Sequence, residues 1–361
     1  MSNEPIRLLI IDDSAYNRKS IAEFFDGNEN VQVVGKAADG QEGLQLAMNL
    51  KPTVITLDLE MPRLDGFGFL RILMSGQPTP VIVISSHSQK ENVFRALELG
   101  ALDFVAKPST MISPAIKKIR EDVVQKVMAA GKFNAIAMQS LTSGDSATGM
   151  FPLMTFPEKD EEEAIGKPAE KVVVIGASTG GPASLTKVLS TIPAHLNAAI
   201  VIAQHMPAQF TATFAARLDR LFQLRVLELQ QGEVLKNGSV YISPGDANIK
   251  ISRVAEGYFG EKVPRSPKCR YSPCVDQMFI SAANAVREKL LAVVMTGMGN
   301  DGAAGCEVIH AAGGSVIVES EDTAIVFGMP QAVLEAGVPA KVRPLHMISG
   351  AISAFSRKKP K

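Results

Sequence analysis

The chain carries no surplus of charge: 37 basic and 37 acidic side chains among 361 residues sum to zero. Phosphate neutralisation needs excess Lys and Arg, so a nucleic-acid surface spread over the whole molecule is excluded. Basic residues gather only at the C-terminus, at Arg357 to Lys359 and Lys361, which reads as a solvated chain end. Cysteine is scarce. Cys269, Cys274 and Cys306 are an odd number and read as free thiols of a reducing compartment. No second Cys/His pair accompanies Cys269 and Cys274, as a zinc site would require. Apolar runs are short. None approaches the roughly 18 residues of a membrane span, and MSNEPIRLLIIDD lacks a charged region followed by a long apolar stretch. Neither membrane insertion nor a secretory signal is expected, and the expected location is cytoplasmic. Histidine is also rare, with five in the chain, which narrows the search for a catalytic base.

What is present is strand–helix alternation, in two stretches. The length suits two domains better than one core. In residues 6–131 the runs RLLIIDD, VQVVGKAAD, TVITLDLEMP, PVIVISS and LDFVAKP read as strands. Segments of helical periodicity separate them, such as Ser14–Asp26 and Glu91–Leu99. From Lys171 the pattern resumes with KVVVIGAS, AAIVIAQH, SVYISPG, KLLAVVMTG and GSVIVES. Between the two stretches, a Gly/Ser/Thr cluster, prolines and the acidic run EKDEEE read as a spacer. The expectation is an α/β protein of two doubly wound, mostly parallel sheets: a domain over 1–131, a linker over 132–169 and a second domain over 170–361.

In the first domain, Asp12 and Asp13 follow the first strand and Asp58 follows the third. Strand ends of a doubly wound sheet meet at the ligand-binding crevice. Three carboxylates there repel one another unless a cation joins them, and their oxygens suit Mg²⁺. Ser85 ends the fourth strand with a hydroxyl and Lys107 ends the fifth with a fixed positive charge. Taken singly, such carboxylates read as helix caps, and Asp13 with Ser14 offers one. Taken as a set, residues 6–131 resemble a response-regulator receiver domain. That resemblance implies that Asp58 is the phosphoacceptor, that Asp12, Asp13 and Asp58 hold Mg²⁺, and that Lys107 contacts the phosphoryl group. It also implies that Ser85 and Phe104 are the switch hydroxyl and aromatic, and that the Lys107–Pro108 peptide is cis.

In the second domain, KVVVI runs into GASTGG, which centres Ser178 in a G-x-S-x-G frame. Gly176 and Gly180 permit a tight strand-to-helix turn, and the following helix turns its positive end to the site. A serine needs a base, and His205 ends the next strand in IVIAQHMP. Asp301, in MTGMGNDG, follows another strand and offers the orienting acid. Asp276 in SPCVDQMF is a rival carboxylate, for which a capping role is the competing account. The glycine loop also resembles a phosphate-binding loop, but the second strand ends in His205 where a ribose-binding acid is expected. The order Ser, His, Asp departs from the Ser, acid, His order of α/β-hydrolases.

The motifs IGASTGG, QHMP, SPGD and TGMGNDG, downstream of a receiver, resemble the chemotaxis protein-glutamate methylesterase family over essentially the whole chain. The resemblance implies hydrolysis of glutamate methyl esters, and deamidation of glutamines, on chemoreceptors, activated by phosphorylation of Asp58. Ser178 is then the nucleophile, His205 the base and Asp301 the orienting carboxylate, with the Thr179 side chain and Met298 backbone as oxyanion partners. The catalytic half needs no cofactor. The implied partners are the cytoplasmic domains of methyl-accepting receptors and a chemotaxis histidine kinase, and a monomer is expected. One departure stands out: the family's P-S-V-D reads P-C-V-D, with Cys274 in place of serine. The rival readings are a binding-only adaptor, a transcriptional regulator (which predicts a small basic output domain) and a nucleotide-binding enzyme.

Overall fold

The computed structural model describes residues 4–85, 90–107, 113–132, 166–267 and 269–357. Most of the expected linker and the Lys107–Pro108 peptide lie outside the described residues. The chain divides into two compact units, residues 1–133 and 134–361.

The first unit runs β1 (Ile6–Ile11), α1 (Ala15–Glu23), β2 (Val31–Ala37), α2 (Gly40–Leu50), β3 (Val54–Leu57), α3 (Gly66–Gly76), β4 (Val81–Ser85), α4 (Lys90–Glu98), β5 (Asp103–Ala106) and α5 (Ser113–Ala130). Its strands pair in parallel in the order β2-β1-β3-β4-β5. The order reverses between β1 and β3, which is where a doubly wound sheet opens its crevice. The inner strands are largely apolar because helices cover both faces: β3 and β4 are buried at every residue, Thr56 and Ser85 included. Ser14 caps α1 by accepting the N–H of Asn17, so Asp13 is not needed there.

The second unit runs β6 (Val172–Ala177), α6 (Gly181–Leu189), β7 (Ala199–Gln204), α7 (Ala208–Leu221), β8 (Arg225–Glu228), β9 (Glu233–Val234), β10 (Ser239–Ile242), β11 (Asn248–Val254), β12 (Gly257–Val263), α8 (Val275–Val286), β13 (Leu290–Val294), α9 (Ala303–Ala311), β14 (Ser315–Glu319), α10 (Met329–Glu335), β15 (Lys341–Arg343) and α11 (Leu345–Ser356), with one turn of 3₁₀ helix over Arg287–Lys289. Seven strands form a parallel sheet, β15-β14-β13-β6-β7-β10-β8. A separate antiparallel sheet, β11-β12-β9, carries strands too short or too polar to stand out as apolar runs. From β6 the chain first builds outward through β7 and then crosses back to β13. The switch point is therefore at β6, and the loops after β13, β6 and β7 lie side by side. Every residue of these three strands is buried, so a rigid core fixes the positions of those loops. Among the described residues no helix is long and apolar enough to cross a membrane.

Candidate active site

Ser178 is the first residue after β6 and His205 the first after β7. The two strands are in register up to Ala177 opposite Gln204, and His205 N–H donates to the Ala177 carbonyl at 3.0 Å. Ser178 and His205 are thus neighbouring positions on adjacent strand ends. The turn at Ser178 is pinned from both sides. Its N–H donates to the Thr296 carbonyl at 3.0 Å, and its carbonyl accepts from Gln204 Nε2 at 2.9 Å and from Gly181 N–H at 2.8 Å. Gly180 sits at φ 77°, in the left-handed region. At Gly181 a Cβ would collide with the Gln204 amide, so α6 must begin with a glycine here.

Asp301 belongs to the loop after β13. Its Oδ2 accepts from His205 Nε2 at 2.8 Å and from Val275 N–H at 2.9 Å, while Oδ1 accepts from Asp276 N–H at 2.8 Å. The thiol of Cys274 approaches Oδ1 at 3.7 Å. Burial alone would push this carboxyl up, but His205 and the two N–H groups outweigh it and hold the carboxyl below its ordinary value. The carboxylate also sits at the start of α8, where the helix dipole favours negative charge. An ionised Asp301 can only accept, so Nε2 carries the imidazole proton. The other ring nitrogen, Nδ1, is buried without a hydrogen-bond partner among the described residues. Ser178 therefore does not yet bond to it, a gap usual before substrate binds. The Tyr271 ring stacks on the imidazole, with centroids 4.5 Å apart and planes 18° apart, and the Arg270 guanidinium lies over the Tyr271 ring at 5.5 Å from its centroid. Tyr271, Cys274 and Asp301 line a cleft of about 1180 Å³ that Lys250 and Arg253 also border; it adjoins the acid side of the site, and Ser178 and His205 are not among its lining residues.

Thr179 is buried, and its carbonyl accepts the Thr296 hydroxyl at 2.9 Å. Met298 follows Gly297, where a Cβ would meet the Ser178 Cβ at 2.7 Å, so the Met298 backbone lies beside the nucleophile's turn.

In the first unit, Asp12, Asp13 and Asp58 each bring a carboxylate oxygen within 4.8 Å of the others. Asp12 and Asp58 are buried and Asp13 is exposed. Lys107 Nζ donates to Asp58 Oδ2 at 2.5 Å and to Asp12 Oδ2 at 3.0 Å. Burial would push this lysine down, yet Asp58 and Asp12 hold it above its ordinary value, so it stays charged. Oxygen donors at a crevice, one of them facing solvent, suit a hard cation that keeps part of its water. Ser85 is fully buried at the end of β4. Phe104 is buried edge-on to Phe94, with Lys126 over its ring.

Comparison with known proteins agrees with both halves. Residues 8–116 match the response regulator receiver domain family and residues 173–352 the CheB methylesterase family. A protein-glutamate methylesterase/protein-glutamine glutaminase of Geobacter sulfurreducens is 44% identical over 96% of this chain and 96% of its own length. The protein of that name from Bacillus subtilis is 38% identical over 98% of this chain and 99% of its own. The CheB methylesterase catalytic domain of Thermotoga maritima is 38% identical over 51% of this chain and 98% of its own, with a TM-score of 0.49. The chain belongs to the protein-glutamate methylesterase family.

Within this methylesterase, Asp276 and Asp301 exchange caps. Asp301 receives the first N–H groups of α8, and Asp276, in the first turn of α8, accepts Gly302 N–H at 2.9 Å and Gly305 N–H at 2.7 Å at the start of α9. Burial and the Asp301 charge push the Asp276 carboxyl up, against these two N–H donors. The rival carboxylate therefore serves a different helix from the one it starts. Asp276→Ala is expected to cost the catalytic unit about 1–3 kcal/mol by orphaning buried N–H groups, measured by urea unfolding. The Asp276 main-chain N–H to Asp301 survives that change. Ester hydrolysis by the folded variant should accordingly stay within about tenfold of wild type.

Sequence reasoning did not pick out Gln204, Thr296 or Tyr271. Gln204 sits in the QH pair and Thr296 in the MTG motif, but their roles depend on which strands are neighbours.

Proposed function

We propose that this chain is a phosphorylation-controlled hydrolase that removes methyl esters from glutamate side chains, and amide nitrogen from glutamines, on the cytoplasmic part of chemoreceptors. The observation that carries this reading is the His205 Nε2–Asp301 Oδ2 contact of 2.8 Å, which leaves Nδ1 buried and unpartnered at the strand end adjoining Ser178. In this mechanism Nδ1 takes the Ser178 proton as Oγ attacks the γ-carbonyl, and Asp301 stabilises the imidazolium. N–H groups at the turn leading into α6, with Thr179 and Met298, face the oxyanion. The imidazolium returns its proton to the departing methoxy oxygen, which leaves as methanol, or to the departing –NH₂ of a glutamine, which leaves as ammonia. Water then cleaves the acyl-enzyme by the same relay. The test is methanol release from methyl-esterified receptor; folded protein that releases none above buffer, with or without a phosphodonor, would refute the reading.

Regulation belongs to the first unit. Asp12, Asp13 and Asp58 would hold Mg²⁺, which when bound offsets the charge of the transferring phosphoryl group. Asp58 is the carboxylate that accepts it from a histidine kinase, and Lys107 stands ready at 2.5 Å to pair with a phosphoryl oxygen. Ser85 and Phe104 carry the change onward. Asp58→Asn is expected to abolish both hydroxylamine-labile phosphoryl uptake from a small acyl phosphate and the accompanying rise in ester hydrolysis. A variant still stimulated by the phosphodonor would place the acceptor elsewhere.

A further inference from the structure

We infer that Glu319, at the end of β14, is a positioning residue for the nucleophile, acting through the Thr296 peptide. The inference rests on the hydrolase reading above, within which it assigns a further role. Glu319 is fully buried. Its Oε2 accepts the Thr296 N–H at 2.8 Å and its Oε1 the Thr323 hydroxyl at 3.1 Å. Thr296 in turn ties down the turn that carries Ser178. Its carbonyl accepts the Ser178 N–H at 3.0 Å, and its hydroxyl donates to the Thr179 carbonyl at 2.9 Å while accepting Val326 N–H at 2.9 Å. One carboxylate thus reaches, through a single residue, the N–H of the nucleophile and the carbonyl of the residue that follows it.

The sheet explains why a side chain is needed there. The β13–β14 ladder ends at Val294 opposite Val318, and the next N–H along the chain, that of Met295, turns to Gly176 on the other side. The Thr296 N–H therefore points toward β14 after its ladder has stopped. Glu319 supplies the acceptor that a longer strand would have supplied. The position has little slack, because Gly297 touches Ser178 closely enough that a Cβ there would lie 2.7 Å from the Ser178 Cβ. A shift of the Thr296 peptide must move Ser178. Burial pushes the Glu319 carboxyl up to about 7, so this is an expensive group to keep where an apolar one would fill the same space. Its acceptor atoms account for its presence. A glutamine at 319 keeps the acceptor that Thr296 needs, its Oε1, while its amide N–H₂ donates to the Thr323 hydroxyl, which accepts in place of donating.

The test compares full-length Glu319→Leu, Glu319→Gln, Thr296→Val and Thr296→Ser with wild type. One readout is kcat and KM on methyl-esterified receptor. The other is the second-order rate of Ser178 phosphonylation by an alkyl fluorophosphonate, in which the Oγ–P bond forms, P–F breaks, fluoride leaves and the hydroxyl proton passes to His205. Glu319→Leu should lower kcat and the phosphonylation rate by about 30- to 100-fold, with KM within about threefold, as expected for a small misplacement of a reacting group. Glu319→Gln should restore both to within about threefold of wild type. Thr296→Val should follow the leucine variant and Thr296→Ser the wild type. A folded Glu319→Leu at the wild-type rate overturns the inference, as does a Glu319→Gln as slow as Glu319→Leu. Should Glu319→Leu fail to fold, Glu319→Ala takes its place, and a folded Glu319→Ala at the wild-type rate overturns the inference. If wild type releases no methanol but phosphonylation keeps this ranking, the substrate reading fails and the positioning role stands. If wild type is not phosphonylated at Ser178, both fail.

Discussion

Ser178→Ala is expected to lower kcat for methyl-ester hydrolysis by about 10⁵- to 10⁶-fold, the scale at which serine hydrolases lose their nucleophile. The size of the effect follows from the absence of a substitute among the described residues nearest the site. The Thr179 side chain lies in a residue whose carbonyl is already tied to Thr296, and it is proposed to face the oxyanion. The thiol of Cys274 is held protonated by burial and by the Asp301 charge beside it, which removes its nucleophilic form. The loss belongs to chemistry and not to folding. Alanine keeps the Cβ that lies against Gly297, and it keeps the N–H bonded to the Thr296 carbonyl and the carbonyl bonded to Gln204. The melting temperature of the variant should therefore stay within a few degrees of wild type while methanol release falls to the assay floor. Residual turnover above about 1% of wild type would mean that another group attacks the ester.

Much of the architecture was legible because it rests on local patterns. Parallel strands buried on both faces read as near-continuous apolar runs, so VVVIGA, AIVIAQ and LLAVV announce themselves. Strand ends in such sheets form the crevice, so Ser178, His205 and Asp301 could be singled out, as could Asp12, Asp58 and Lys107. What stayed hidden depends on which strand lies beside which. Nothing in the spacing of Thr296 and Thr179, 117 residues apart, says that one hydroxyl holds the other's carbonyl. The cap exchange between Asp276 and Asp301 needs α8 and α9 to start side by side, a fact of sheet order. The strands β8, β9, β11, β12 and β15 escaped for a different reason. They are short or half-exposed, as in the alternating burial of β12, and lack a continuous apolar run. Glu319 ends a run, GSVIVES, that was legible as a strand. Its inward-facing carboxylate gains meaning only from where the β13–β14 ladder stops, one residue before it.

Asp301→Asn is expected to lower kcat by about 10³- to 10⁴-fold with little change in KM, the loss that follows when the acid behind a catalytic histidine is neutralised. The asparagine amide has two orientations here, and each one fails. With Oδ1 on the Asp276 N–H, the amide N–H₂ faces His205 Nε2. That nitrogen must then become the acceptor, and its proton moves to Nδ1, the nitrogen needed to receive the proton of Ser178. With the amide turned over, the tautomer is kept, but an amide N–H₂ faces the Asp276 N–H, donor against donor, at the start of α8. In both orientations the negative charge that stabilises the imidazolium is gone. Two measurements separate the outcomes. The ¹⁵N shifts of His205 report which nitrogen is protonated, and wild type should show the proton on Nε2. Methanol release then gives kcat for wild type, Asp301→Asn and Asp276→Ala in one series. The cap exchange predicts a gap of at least a hundredfold between the two aspartate variants, since only one of these carboxylates touches the imidazole. If Asp301→Asn stays within tenfold of wild type, the orienting acid is not at 301, and the proposed proton relay loses the contact on which it rests.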